Sequence, residues 1–179
     1  ATQWFDLGHV GRSPSRFDFK KLENLNGHYL READDARLAA LVAPMVGKLL
    51  GRDLTADDQA LLTQAMAALK PRAKTLHEIA DGATFLFVPE PLTFDEKAAA
   101  VLTDTPAGML ASIADRLRAL PDWSQESVEA AIREESEAAG VGLGKLAQPL
   151  RAALTGRTIS PGIFDVHLLL GRDTSLARL

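Results

Sequence analysis

Apolar residues recur at the spacing of an α-helix along most of this sequence, and the two-residue alternation of a strand is never sustained. In residues 32–51, the Leu, Val and Met side chains fall on one helical face, and Gly51 is a typical C-terminal stop. Pro44 is expected to kink or split this helix. The best strand candidate, residues 84–94, contains two prolines and is interpreted as an extended connector. The pattern therefore predicts an all-α fold.

Capping and breaking residues divide this pattern into separate helices. Thr55 is placed to cap a helix that ends near Leu69. Ser160 as the cap, Pro161 as the first helical residue and Gly171 as the stop predict the last helix. The predicted helices cover residues 18–30, 32–51, 55–69, 72–82, 94–103, 106–121, 124–140, 144–156 and 160–171. We expect them to form two packed helical subdomains joined near residue 86.

Composition narrows the classes of protein that this chain can belong to. No cysteine is present and no two of the four histidines are four residues apart, so neither disulfides nor a cysteine or histidine-pair metal site is predicted. There is no apolar run of about 18 residues and no signal-peptide pattern, which predicts a soluble, cytoplasmic protein without membrane contact. The net charge of −4 weakly disfavours nucleic-acid binding, unless a basic patch lies on an acidic body.

The glycine-rich stretch "GVGLGKLAQPLRAALTG" at residues 140–156 invites comparison with phosphate-binding loops. A P-loop needs glycine where Ala139 stands and Ser or Thr where Leu146 stands. The dinucleotide-binding pattern fails because Lys145 replaces its third glycine. The stretch is better interpreted as a turn between two helices, in which one glycine ends a helix, one allows the turn and one begins the next helix (Gly140, Gly142 and Gly144).

Sequence patterns of independent catalysis are also missing. The chain contains no GxSxG nucleophile elbow and no HExxH zinc motif. Its adjacent acidic residues lie at predicted helix starts or on a charged helix face, where they offset the helix dipole or keep the surface solvated. We therefore predict no catalytic residue and no metal ligand in this chain.

Four segments, taken together and in order, resemble the C-terminal part of bacterial glutamyl-tRNA synthetases. They are "GRSPSRFDFKKLENLNGHYL", "LKPRAKTLHEIADGATFLF", "LGKLAQPLRAALTG" and "SPGIFDVHLLLGRDTSLARL". The resemblance implies that residues 1–30 are a remnant of the stem-contact region, and that 31–86 and 87–179 are two anticodon-binding subdomains. It also implies a monomer whose partner is tRNA(Glu) and not DNA. In that family, ATP and Mg²⁺ belong to a catalytic domain whose signatures are not found here, so no cofactor is expected in this chain.

The resemblance also assigns roles to particular residues. The arginine of the "PLRxALTG" motif, here Arg151, would contact the anticodon, and the segment Ser160, Pro161, Gly162, Ile163 and Phe164 would receive its bases. Arg72, before the "TL" helix, is the candidate for inspecting the third anticodon base. These roles suit the chemistry, because an exposed Phe stacks on bases, an arginine presents a planar donor fork, and a helix N-terminus offers free N–H groups.

Each of these residues also has a purely structural interpretation. Arg151 would serve as an ordinary surface cation, Phe164 as a core residue, and Arg72 as a charge that answers the negative end of the preceding helix. The competing function is a helical protein-interaction or scaffold module without RNA specificity, which the acidic composition slightly favours. The two hypotheses differ in one structural expectation. If Arg72, Arg151 and the start of the 160–171 helix share one positive face, RNA binding gains support. If they scatter, the scaffold hypothesis gains support.

Overall fold

The computed structural model describes residues 16–106 and 108–179, and within these ranges every regular element is helical. The α-helices are α1 (Phe19–Glu32), α2 (Asp35–Leu50), α3 (Ala56–Leu69), α4 (Leu76–Ala83), α5 (Glu96–Thr103), α6 (Met109–Arg118), α7 (Gln125–Ala138), α8 (Leu143–Thr155) and α9 (Ile163–Ala177). Short 3₁₀ turns occupy Lys70–Arg72 and Thr84–Leu86. The predicted all-α fold is confirmed.

Several helices begin where side-chain chemistry predicts a cap. The side chain of Asp18 accepts a hydrogen bond from the Lys21 backbone N–H at 3.1 Å. Thr55 and Asp58 form a reciprocal capping box, each side chain accepting from the other residue's backbone N–H at 3.1 and 3.0 Å. The side chain of Ser124 caps α7 by accepting a hydrogen bond from the Ser127 backbone N–H at 3.2 Å. Each of these bonds satisfies a backbone donor that the first helical turn leaves unpaired.

The start of the last helix differs from its prediction. Ser160 is not the N-cap and Pro161 is not the first helical residue, because α9 begins at Ile163 with Gly162 as its N-cap. The hydroxyl of Ser160 is engaged elsewhere: it accepts from Arg151 and donates to the carbonyl of Pro161. Local sequence cannot reveal this competition, since a hydroxyl at this position is also a normal helix cap.

Other helix boundaries also differ from their predictions. Gly171 breaks the helical geometry, with φ 73° and ψ 173°, but helix resumes after it to Ala177. The glycine accepts the left-handed φ without strain, so the chain bends and continues. α8 starts at Leu143 rather than at Gly144. Of the two outcomes predicted for Pro44, splitting does not occur, since α2 continues through this residue.

The helices enclose two apolar cores. The first contains buried residues from Leu30 to Phe87 and is built mainly by α2, α3 and α4. The second contains buried residues from Phe85 to Val166 and is built by α6, α7, α8 and α9. The cores meet at residues 85–87, which contribute to both. The exact division into residues 1–30, 31–86 and 87–179 stays a prediction, and residues 1–15 of its first part lie outside the described residues.

None of the described helices is both long and apolar enough to span a bilayer. The described residues contain no cluster of three or more His, Asp or Glu side chains arranged to hold a metal ion.

Candidate nucleic-acid interface

A cleft of about 610 Å³ lies where the two cores face each other. One wall consists of the 3₁₀ turn Lys70–Arg72 and helix α4. The other consists of the loop between α8 and α9, and the start of α5 closes one side. The lining residues are Leu69, Arg72, Ala73, Glu78, Asp81, Gly82, Asp95, Glu96, Lys97, Arg157, Thr158, Ile159, Ser160 and Pro161.

Arg151 reaches this loop from the last turn of α8. Its Nε donates to the Ser160 hydroxyl at 2.9 Å, and that hydroxyl donates to the carbonyl of Pro161, also at 2.9 Å. Ser160 is buried and Arg151 is half-buried. The guanidinium uses one of its five N–H donors here, which leaves others for a ligand.

Arg72 brings a second positive charge from the opposite core. The pKa of Arg151 is lowered first by burial and then by repulsion from the positive charge of Arg72. Neither arginine forms an ion pair with a carboxylate of residues 16–106 or 108–179. Two like charges held together in this way favour an anionic or strongly hydrogen-bond-accepting ligand.

A salt bridge connects the two walls of the cleft. The guanidinium of Arg157, in the α8–α9 loop, pairs with the carboxylate of Asp81 in α4. The carboxylates of Glu78 and Asp95 are also engaged, since each accepts a hydrogen bond from a backbone N–H at 2.7 Å. Three of the acidic residues in the lining therefore have partners within the protein. Their charge opposes deep entry of a phosphate but allows a neutral base edge to enter.

The structure brings together part of the site predicted from the sequence. Arg72, Ser160 and Pro161 line the cleft, and Arg151 joins them through its hydrogen bond to Ser160. Gly162 follows as the N-cap of α9. These residues therefore gather at one cleft, but the face is not purely positive, because the lining contains four carboxylates and three cations.

Ile163 and Phe164 lie apart from the cleft. Ile163 is buried in the second core, and Phe164 is half-buried against the same core. The ring of Phe164 has the Arg133 guanidinium 6.0 Å from its centroid. Their predicted contacts with bases stay predictions, and both side chains already have packing partners.

A carboxylate faces the N-terminus of α9. A Cβ at Gly162 would lie 2.6 Å from Oδ2 of Asp165, so this acidic side chain folds over the first turn. Its negative charge already satisfies the positive end of the helix dipole. The arginines are therefore the stronger candidates for anion recognition, and the free N–H groups of this helix are the weaker ones.

Sequence reasoning missed Arg157, Lys97 and Ile159, which all line the cleft. Ile159 is 84% exposed, more than any other large hydrophobic side chain among the described residues. The sequence gives a weak indication of Ile159: it is the single large apolar residue in the polar stretch "TGRTIS", directly before the segment predicted to receive bases. Lys97 carried no such signal, because it reads as an ordinary cation on the exposed face of α5.

An all-α chain with two cores and an arginine-bearing cleft between them is a module suited to nucleic-acid recognition. The family model described as "Anticodon binding domain" matches residues 37–179. The chain belongs to this anticodon-binding domain family.

Known proteins narrow the resemblance to one kind of synthetase. The whole chain is 73% identical to part of glutamate–tRNA ligase 1 of Sphingopyxis alaskensis and 60% identical to part of glutamate–tRNA ligase 2 of Zymomonas mobilis. It spans 37% of the length of each. A solved glutamate–tRNA ligase from Elizabethkingia meningosepticum, in complex with its amino acid, superposes on 97% of this chain with a TM-score of 0.75 at 25% identity, which is 34% of that protein. The resemblance to the anticodon-binding region of glutamyl-tRNA synthetases is confirmed.

Proposed function

We propose that this chain reads the anticodon of tRNA(Glu) as part of a glutamate–tRNA ligase. The observation that carries the proposal is one cleft between the two cores, which Arg72 lines from one side and Arg151 reaches from the other through its hydrogen bond to Ser160. Arginine forks recognise base edges and phosphates, and single-stranded bases are the usual targets of sequence-specific RNA recognition. Ser160 holds Arg151 in position and presents a hydroxyl beside it.

The parent reaction is assigned, in this proposal, to the rest of the ligase. ATP-dependent attachment of glutamate to tRNA, with ATP and Mg²⁺, belongs to the portion of the relatives that this chain does not match. We infer no cofactor site for the chain itself. The cytoplasmic location and the monomeric state stay predictions.

Fluorescence anisotropy with labelled tRNA(Glu) tests the proposal. The chain should prefer this tRNA over one with a swapped anticodon at two salt concentrations. Arg151→Ala should weaken binding by about 1–3 kcal/mol, the scale of one good base contact, and reduce the preference. Arg118→Ala, which removes an exposed arginine of α6, is the matched control and should leave the preference unchanged. Binding that ignores the anticodon and disappears with salt would contradict the proposal, because it reflects phosphate attraction alone.

The protein-interaction alternative is supported by a different surface. Helix α1 and the residue before its cap expose large apolar side chains, namely Phe17, Phe19, Leu22, Leu25 and Tyr29. Exposed apolar patches of this kind mark interaction sites. A scaffold function predicts that substitutions on α1 abolish partner binding while Arg72 and Arg151 are dispensable. If Arg72→Ala and Arg151→Ala both keep full partner binding, this alternative is favoured.

A further inference from the structure

Ile159 differs from the other exposed apolar side chains by its position. The rest lie on or beside α1, on α2, or at Phe94, outside the lining of the cleft between the cores. Single exposed hydrophobic residues are common, so exposure alone has no functional meaning. Ile159 is different because it lines the cleft that also contains Arg72, Arg157 and Lys97.

The backbone on both sides of Ile159 is anchored. Before it, Arg157 pairs with Asp81, and its backbone N–H donates to the Thr155 hydroxyl at 3.3 Å. After it, Ser160 is buried and bonded to Arg151. The exposed isoleucine is therefore held at a fixed point in the loop. A preformed apolar contact costs little ordering entropy when a ligand arrives.

The chemistry around Ile159 restricts what it can contact. Its side chain has no hydrogen-bonding atom, so it cannot recognise a phosphate or a base edge. The face of a nucleobase is apolar enough to pack on such a side chain, while the neighbouring arginines attract the backbone or bind polar edges. Its β-branched side chain has few rotamers, which suits a fixed platform.

We propose that Ile159 packs against the face of one unstacked base of the RNA that enters the cleft. This proposal rests on the proposed function, since it names the contact by which the same cleft holds a base. Ile159 acts as a positioning contact: it keeps that base in the plane that the arginine donors can reach.

Binding of a labelled anticodon stem-loop by variants of the whole 179-residue chain tests the proposal. Ile159→Ser should weaken binding about five-fold, at the lower end of what a base contact on an aromatic ring contributes. Ile159→Phe should keep or improve the affinity. Leu49→Ser removes another exposed apolar side chain, on α2 and outside the cleft lining, and should have no effect. Because no phosphate contact is lost, the slope of log affinity against log salt should be the same for Ile159→Ser and the unaltered chain.

Abasic RNAs identify the base concerned. Removing one anticodon base should weaken binding by the unaltered chain, and Ile159→Ser should then cause no additional loss. If Ile159→Ser binds as tightly as the unaltered chain while the anticodon preference is intact, the packing proposal is wrong and the proposed function stands. An equal loss with every abasic RNA would also overturn the packing proposal. If the unaltered chain shows no anticodon preference, the proposed function itself fails, and the packing proposal fails with it.

Discussion

The two cores differ in how many polar side chains they bury. The first, around α2, α3 and α4, consists of buried apolar side chains such as Leu62 and Met66. All buried polar side chains of the described residues fall in or beside the second core, namely Glu135, Ser136, Thr155, Ser160, His167 and Ser175. Buried polar groups are costly unless paired, and when paired they fix geometry.

The polar groups of the second core hold the segment that carries the candidate site. At the start of the α8–α9 loop, the Thr155 hydroxyl accepts from the Arg157 backbone N–H, and near its end the Ser160 hydroxyl accepts from Arg151. Arg178 ties the same region to the connector: its Nη1 donates to the carbonyls of Phe85 and Leu154 at 3.0 and 2.8 Å. We infer that the first core mainly stabilises the fold, whereas the second core also fixes the position of the α8–α9 loop.

The largest effects should come from apolar truncation, equally in both cores. Leu62→Ala and Leu150→Ala each remove a fully buried side chain and should lower the free energy of unfolding by about 2–5 kcal/mol. Hydrogen exchange should show faster exchange mainly in the core that carries the substitution. Leu49→Ala, on the exposed face of α2, is the control and should change little. Equal acceleration in both cores after either truncation would show that they unfold as one unit.

Acid should destabilise the second core more than the first. His167 is fully buried, and burial lowers its pKa to about 4 from an ordinary value of 6.5. Above pH 6.5 the ring is neutral in both states and stability is unaffected. As the pH falls from 6.5 to 4, only the unfolded chain takes up the proton. The free energy of unfolding should therefore fall by up to about 3 kcal/mol.

Urea unfolding at pH 7 and pH 4.5 measures this loss. His167→Met should remove most of the pH dependence, whereas His77→Gln, at an exposed position, should retain it. Glu135 becomes relevant at lower pH than His167, because hydrogen bonds from the Ser112 hydroxyl and Arg116 hold the pKa of its carboxyl below the ordinary value. Its stabilising effect is therefore complete at pH 7, begins to fall near the ordinary value of 4.5 and is lost only at lower pH. A loss of similar size in His167→Met would contradict the assignment to this histidine.

Arg178→Met should have the next largest effect and lower the free energy of unfolding by about 2 kcal/mol. The arginine side chain is only 3% exposed, and removing its donors leaves the carbonyls of Phe85 and Leu154 without this partner. Because the substitution loosens the connector between the cores, it should also weaken RNA binding more than Arg118→Met, which removes an exposed arginine. Thermal unfolding and anisotropy on the same samples check both expectations. Unchanged stability would mean that water replaces the guanidinium.

Local features of the fold were predictable, and non-local ones were not. The caps at Asp18 and Thr55 depend on residues three positions away, so the sequence displays them directly. Ser160 was assigned as a helix cap because its bond to Arg151 crosses a loop. The carbonyl partners of Arg178 lie between 24 and 93 residues away, and no pattern connects them. The candidate site depended on the family resemblance, because Arg151 in isolation looks like any surface arginine.

The smallest expected effect belongs to the first core and concerns a helix end rather than its interior. Thr55→Ala removes one half of the capping box and should cost about 1 kcal/mol, because the Asp58 backbone N–H loses its acceptor. Thr55→Ser keeps the hydroxyl and should restore most of the stability, which urea unfolding of the three chains will show. RNA affinity should stay unchanged, since the cap lies outside the cleft lining. A loss of affinity in Thr55→Ala would contradict this division of roles, because the first core would then also control the geometry of the site.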